Sequence, residues 1–322
     1  SHLAMAKVGE GFWTGLVLRV AAGIGWAGTY MVGLRALTDE VSGAAQSRAV
    51  AANAASIGVS GALSFLLAGW LERSFGWDTA FVVVGMCSLA ALLMAFLLFP
   101  RRQPPASTGG KLFDFRPVLR NRSAMAYSIG YCAHTWEMFV LRSWVVTFLV
   151  FSMHVHGSKV SWLIPTVVAM LMEVIGTVFS VLGNEMAVRF GRRRWILLVM
   201  CISIVCALGL GFVSGISYWA TVTACLVYNA FIYADSASLT AGAVGSAEPE
   251  RKGATMAMHA LLGYSGGFVG PLTLGVMLDL MGGETVFSWG IGFAHVAIIM
   301  LVGPTALLIL KPRDLEGDRG AR

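Results

Sequence analysis

The sequence predicts an all-α polytopic membrane protein with nine transmembrane helices. Three observations support this fold class: the composition, the length of the apolar segments, and the uneven distribution of Lys and Arg between successive connections. Of the 322 residues, 57% are hydrophobic and only 12% are charged, and the mean hydropathy is +0.74. A soluble domain carries about 25% charged residues. The composition therefore excludes a soluble enzyme and a disordered chain.

Nine apolar segments are each long enough to cross a bilayer as a helix, which takes about 20 residues. Helices are expected because every backbone polar group in lipid needs a partner inside its own segment. The strands of a membrane barrel are about half this long. In chain order, segments one to nine are 12–36, 48–71, 78–99, 123–151, 159–183, 194–214, 217–243, 253–281 and 285–310.

The cations of the connections predict the orientation of the chain. Alternate connections and the C-terminal tail hold eighteen of the 23 Lys and Arg residues, whereas the opposite side holds three. Since Lys and Arg concentrate on the cytoplasmic side, we expect the C-terminus in the cytoplasm and residue 1 outside a plasma (inner) membrane. The formal charge of +6 then reflects topology, and no nucleic-acid partner is expected.

The sequence predicts neither a cofactor nor a metal site. The five cysteines all lie in apolar segments, without the spacing of a metal site or a disulfide framework. Gly23-Ile24-Gly25 lies inside a predicted span and is not followed by the Gly-Lys-Ser/Thr of a nucleotide-binding loop. An ATP-driven pump is therefore disfavoured. An enzyme is not expected either, because no nucleophile and base occur at a usable spacing.

An internal repeat relates the beginning of the chain to its end. With an offset of 206 residues and no gaps, residues 48–81 align with 254–287, and eight of the 34 pairs are identical. The offset relates segments one to three to segments seven to nine and leaves segments four to six without partners. We therefore expect three further helices before Ser1, in a twelve-helix protein. The alternative is a nine-helix protein with accidental similarity.

Three local sequences and one long connection carry a family resemblance. Segments five and six are joined by NEMAVRFGRRR, segment one contains LRVAAGIGWAG, segments two and three meet at AGWLERSFGWDTAF, and residues 100–122 form a long basic connection. Together they resemble the major facilitator superfamily of secondary transporters. Its cytoplasmic-loop signature, Gly-x-x-x-Asp-Arg-x-Gly-x-Arg-Arg, is matched at Arg189, Gly191, Arg193 and Arg194. Asn184 and Val188 depart from it, and plain anchoring on the cytoplasmic side explains the same arginines equally well.

The resemblance implies two six-helix halves around a solute site near the middle of the membrane. Residues 1–99 would be three helices of the first half, 100–122 a cytoplasmic loop, 123–310 the complete second half and 311–322 a cytoplasmic tail. Segments one, four and seven would then line the cavity. Segment two lacks the Gly-Pro pair that is frequent in the family's antiporters, so uptake by symport is favoured over drug/proton antiport.

Segment four, YSIGYCAHTWEMFVLRSW, holds the richest set of polar groups at membrane depth. Tyr131 and His134 share one helical stripe, which Glu137 and Arg142 flank. Ionisable residues inside a membrane are costly and usually face a cavity or a partner. A buried Glu137 can carry a proton, His134 can relay it, and Arg142 can bind an anion. The alternatives are ion pairs to other helices for Glu137 and Arg142, and a packed, hydrogen-bonded His134.

Segments one, five and seven add further candidates for a solute or coupling site. Asp235 in segment seven is the second predicted proton carrier. Glu173 in segment five also lies near mid-depth, although that helix is usually peripheral in the family. The remaining candidates are Arg19, Trp26 and Tyr30 in segment one and Asn229 and Tyr233 on one face of segment seven. For Arg19 the alternative is that its side chain reaches the membrane surface, and for Trp26 and Tyr30 it is packing or lipid contact.

The sequence as a whole predicts secondary transport of a small solute by alternating access. Glu137 and Asp235 suggest coupling to protons, and the two cations inside predicted spans, Arg19 and Arg142, suggest a small anion as the solute. The expected partners are this solute, the lipid bilayer and protons. The alternative is a membrane sensor or assembly protein that retains the transporter fold without transporting.

Overall fold

A computed structural model of the chain describes residues 1–39, 41–98, 114–158 and 163–319, except for the side chains of Phe65 and Arg73. These residues form twelve α-helices and a short 3-10 turn at Pro249–Arg251. The helices are α1 (His2–Val8), α2 (Phe12–Thr38), α3 (Gly43–Phe75), α4 (Trp77–Leu98), α5 (Arg116–Arg120), α6 (Arg122–Val155), α7 (Pro165–Phe190), α8 (Arg192–Val213), α9 (Tyr218–Gly245), α10 (Lys252–Leu280), α11 (Val286–Met300) and α12 (Val302–Leu310).

The predicted all-α membrane fold is confirmed. Segments one to eight correspond to α2, α3, α4, α6, α7, α8, α9 and α10, and segment nine corresponds to α11 and α12. Within the described residues, eight helical stretches are long and apolar enough to cross a membrane. The remaining predicted span, segment seven, corresponds to α9, which has the length but is more polar. Most of its residues are buried, so protein rather than lipid surrounds its polar groups.

Some helix boundaries differ from the predicted ones. Segment nine is interrupted at Leu301, where α11 gives way to α12. Pro304 weakens a continuous helix here because it lacks the N–H that would bond one turn back. The short helices α1 and α5 were not predicted. Of the predicted connection 100–122, residues 100–113 lie outside the described residues, and α5 forms within the remainder.

The larger of two compact units consists of Leu34–Ala62 and Phe113–Arg322. Helix α6 lies at its centre and packs against α9, α10 and α12, while α7 packs against α9 and α8 against α11. Three buried aromatic rings, those of Phe148, Trp289 and Phe293, pack together with centroids 4.9 to 6.0 Å apart. Such contacts between rings stabilise the packing of α11 on α6 by more than the burial of apolar area alone.

Glycines bring α10 close to α6. A Cβ atom on Gly266 would lie 2.3 Å from the carbonyl oxygen of Cys132, and one on Gly270 would lie 2.9 Å from that of Trp136. Small residues at four-residue spacing allow this approach between helices in lipid, where packing rather than hydrophobicity drives association. The face of α6 that contains Cys132 and Trp136 therefore packs against α10.

The smaller unit consists of Ser1–Gly33 and Leu63–Leu112, of which the residues up to 98 are described. Its α1 packs across α4, where Leu3 lies over Gly85 and leaves no room for a larger residue. The His2 ring stacks on Phe81 in the same contact, with centroids 6.3 Å apart. Helix α2 exposes large apolar side chains, as a helix in contact with lipid does.

Candidate polar core between α6, α8 and α9

A buried pair of titratable residues joins α6 to α9. The Nδ1 atom of His134 lies 2.9 Å from Oδ1 of Asp235, and the two side chains are only 0% and 3% exposed. An unpaired charge at such a position would be very costly, because the surrounding protein solvates it poorly. The structure therefore brings together two residues that the sequence named separately, from segments four and seven.

Glu137 lies one helical turn beyond His134 on α6 and is likewise buried. Its Oε1 atom accepts a hydrogen bond from the hydroxyl of Ser203 on α8, at 2.7 Å. The Tyr228 hydroxyl on α9 lies beside the same carboxyl. Glu137 and Arg142 make separate contacts. Two carboxyls and one imidazole thus share a site closed to solvent.

Aromatic and hydroxyl groups continue this polar core along α6. The Tyr131 ring stacks on His134 and on His259 of α10, with centroids 5.6 and 4.1 Å apart. His259 itself lies 3.2 Å from the Ser128 hydroxyl and 3.3 Å from that of Thr240. These contacts join α6 to both α9 and α10, so the rings and hydroxyls link the three helices.

A second ionic contact links α6 to α7. Arg142 Nε lies 3.2 Å from Oε1 of Glu173, and the arginine side chain is 29% exposed while the glutamate is 5% exposed. Tyr233 of α9 lies beside the guanidinium. Gly61 of α3 packs directly on the pair, since a Cβ there would lie 2.8 Å from Glu173 Oε2. Asn229, another sequence candidate, donates to the Met172 carbonyl of α7 at 2.6 Å.

The three candidates in α2 belong to the smaller unit. The Arg19 guanidinium carbon lies 5.1 Å from the centre of the Phe81 ring on α4. The rings of Trp26 and Tyr30 stack with centroids 5.6 Å apart. A cation held over an aromatic face is stabilised electrostatically, so Arg19 has a local packing partner.

The turn between α7 and α8 carries the predicted loop motif. Gly191 has φ +93°, a conformation that favours glycine, and it joins the two helices. Arg189 pairs with Glu185 at 3.2 Å in an exposed position, and Arg194 is exposed. The buried member is Arg192, which the motif left unspecified.

Arg192 escaped the sequence prediction because nothing in the run Arg192-Arg193-Arg194 shows that its first member is the buried one. Ser203 and Tyr228 were not predicted either, because their contact with Glu137 depends on which helices pack against that face of α6. In the described residues, no three His, Cys, Asp or Glu side chains come together as metal ligands.

Comparison with known proteins identifies the fold's relatives. The sequence model of the family described as Major Facilitator Superfamily matches residues 2–271. Among solved structures, the chain is similar to a bacterial homologue of the human lysosomal transporter Spinster, crystallised inward-facing and unoccupied: 19% identity, TM-score 0.59, covering 96% of this chain and 78% of that one. The inward-facing, occupied structure gives 15% identity and a TM-score of 0.54, covering 85% and 72%. No curated protein sequence matches.

Proposed function

This chain belongs to the major facilitator superfamily, a family of membrane transporters, and we propose that it moves a small solute by alternating access. In such folds, two halves rock around a site near the middle of the bilayer. We place residues 1–99 in the first half and 123–310 in the second, with 100–122 as the connecting loop and 311–322 as the tail. The proposed location is the plasma membrane.

The closed polar core is the observation that carries this proposal. Glu137, His134 and Asp235 are all buried, although they lie on helices whose outward faces are apolar. Ionisable residues persist inside a membrane mainly where they serve an ion or solute pathway. In the described state, neither water nor solute reaches these groups, so access requires the helices to separate.

Proton symport is the coupling that this core supports best. A carboxyl in an apolar environment favours its protonated form, and exposure to water favours release of the proton. Glu137 and Asp235 would be loaded when the core opens to one side and unloaded on the other. His134, in contact with Asp235 at 2.9 Å, is placed to pass the proton between them.

We propose a small anion as the solute because of Arg142. Its guanidinium is partly exposed and is paired with the carboxylate of Glu173. A carboxylate or phosphate solute would compete with Glu173 for the same donors, since guanidinium groups bind both in the same geometry. Arg19 on α2 is the second cation that the proposal assigns to the solute pathway.

Uptake into proteoliposomes tests this function. The protein, expressed from its complete gene, would be given labelled lactate, succinate or inorganic phosphate, with acid outside. We expect at least one of the three to accumulate, and a protonophore to abolish the accumulation. If none enters while a neutral sugar does, the assignment of an anion is wrong. If no solute moves at all, a sensor or assembly role replaces transport.

A further inference from the structure

The C-terminal tail folds back onto the turn between α7 and α8. Asp318 forms a two-point contact with Arg192: Oδ1 lies 2.9 Å from Nη2, and Oδ2 lies 3.2 Å from Nε. The two side chains are 0% and 1% exposed. A surface ion pair is worth little because water competes for both partners, but this pair is shielded from water.

Arg192 also binds three helices of the same unit. Its Nη1 atom donates to Asn184 Oδ1 on α7 and to the Ser238 carbonyl on α9, both at 3.2 Å. Its Nη2 atom donates to the Ser47 hydroxyl on α3 at 2.9 Å. Together with the two contacts to Asp318, all five N–H groups of the guanidinium have acceptors. One side chain therefore joins α3, α7, α9 and the tail.

The tail is fitted to this position by more than its carboxylate. The Arg319 N–H donates to the Val188 carbonyl at the end of α7. Leu315 lies against Gly245 of α9, where a Cβ would be 2.7 Å from its side chain. Gly317, with φ +85°, turns the chain directly over Ala44 of α3. Several independent contacts thus converge on the same three helices.

We propose that the tail is an intramolecular latch, in which Asp318 on Arg192 holds the start of α3 against α7 and α9. The inference rests on the proposed function in one respect. If α3 belongs to the first half and α7 and α9 to the second, the latch must open whenever this end of the bundle opens. Removing one partner of a buried pair leaves the other charge uncompensated, which makes Asp318 the point at which the latch is released.

Hydrogen–deuterium exchange of the purified protein in lipid nanodiscs tests the latch without any transport measurement. Asp318→Asn keeps the size of the side chain and removes its charge. We expect amide exchange in 43–50, 186–195 and 311–319 to accelerate about tenfold, since each 1.4 kcal/mol of lost closure is a factor of ten. Exchange in α10 should stay at the wild-type rate.

Asp314→Asn is the matched control, because it removes a carboxylate of the same tail whose partner, Arg319, is half exposed. Wild-type exchange rates are expected for this variant. Unchanged rates in Asp318→Asn, or equal acceleration in both variants, would overturn the latch. If Asp318→Asn does not fold, Ser47→Ala removes only the two hydrogen bonds of the Ser47 hydroxyl, to Arg192 and to Asn184, and acceleration confined to 43–50 and 186–195 is expected. Wild-type rates there would count equally against it.

The exchange result is independent of solute uptake. A latch that opens in Asp318→Asn while the protein moves no solute would leave the structural inference intact and remove the proposed function. Solute uptake together with unchanged exchange in Asp318→Asn would support the proposed function and overturn the latch.

Discussion

In the proposed function, Glu137 would bind a proton rather than a solute, because its carboxyl is buried and accepts a hydrogen bond from the Ser203 hydroxyl at 2.7 Å. Glu137→Gln keeps the shape of the side chain and removes the titratable group. We expect it to abolish accumulation driven by a pH gradient and to preserve exchange of labelled for unlabelled solute across the membrane. Proteoliposome uptake and counterflow, measured side by side, separate the two activities.

Ser203→Ala is the control for this variant, since it removes the hydrogen bond and keeps the carboxyl. A lost hydrogen bond of this kind typically costs about 0.5–1.5 kcal/mol, which alters rates without removing coupling. Gradient-driven accumulation by Glu137→Gln at the wild-type level would show that the proton is carried elsewhere.

The contact between His134 and Asp235 should contribute far more to stability than an exposed ion pair. Asp235→Asn leaves His134 buried beside a neutral amide, and removing one partner of a buried pair typically costs about 3–5 kcal/mol. Exposed pairs contribute about 0–1 kcal/mol. Glu185→Gln, which breaks the contacts with the exposed side chains of Arg48 and Arg189, is therefore the comparison. Thermal unfolding midpoints in detergent should fall clearly for Asp235→Asn and barely for Glu185→Gln; equal shifts would contradict this ranking.

Single residues show what the sequence could and could not reveal. His134, Glu137 and Asp235 were predictable because a titratable group at membrane depth needs a reason to be there. Their mutual contacts were not, because spacing along one helix does not determine which neighbouring helix faces it. The pairing of Arg142 with Glu173 depends in the same way on how α6 and α7 pack, although both residues had been singled out individually.

At the level of helices, two glycines of α8 that lie two residues apart have opposite surroundings. A Cβ on Gly211 would lie 2.2 Å from the Trp289 carbonyl oxygen of α11, whereas nothing lies within 4 Å of one on Gly209. Gly211→Ala must push the two helices apart, and overpacking of this kind costs about 1–3 kcal/mol. Gly209→Ala should be neutral or slightly stabilising, because alanine is the better helix former.

The unfolding midpoint of each glycine variant, measured by size-exclusion chromatography after heating, tests this contrast. A fall for Gly209→Ala comparable to that for Gly211→Ala would mean that α8 and α11 do not pack as described. The double variant should resemble Gly211→Ala alone, since the two substitutions affect different neighbours.

The presence of the helices was predictable. Backbone hydrogen bonding in lipid requires helices, and the thickness of the bilayer sets their length. The positions at which a helix is interrupted were harder to predict. Pro271 lies inside a continuous α10, while the last span is interrupted at Leu301, three residues before Pro304. Tertiary packing decides between a tolerated proline and a break, and no local pattern records it. The polarity of α9 likewise reflects its buried position rather than a weaker tendency to form a helix.

At the level of the whole molecule, the internal repeat predicts that α3 and α10 are related elements. Gly61 of α3 packs on the Arg142–Glu173 pair, and its repeat partner Gly267 of α10 packs on Phe139 of α6. Both glycines therefore allow a close contact with the helices of the larger unit. The sequence predicted the small residues but could not predict an ionic contact on one side and an aromatic one on the other.

The orientation in the membrane is a prediction of the charge distribution alone, because helices of this length can insert either way and the cations decide. We expect a green fluorescent protein fused after residue 319 to fluoresce and alkaline phosphatase at the same point to be inactive. Fusions in the exposed turn at Gly157, after α6, should give the opposite pattern, since an odd number of crossings separates the two points. Active phosphatase at the C-terminus with fluorescence at Gly157 would invert the topology. It would also place the buried Arg192–Asp318 contact on the outer side, where the tail would meet solutes before they enter.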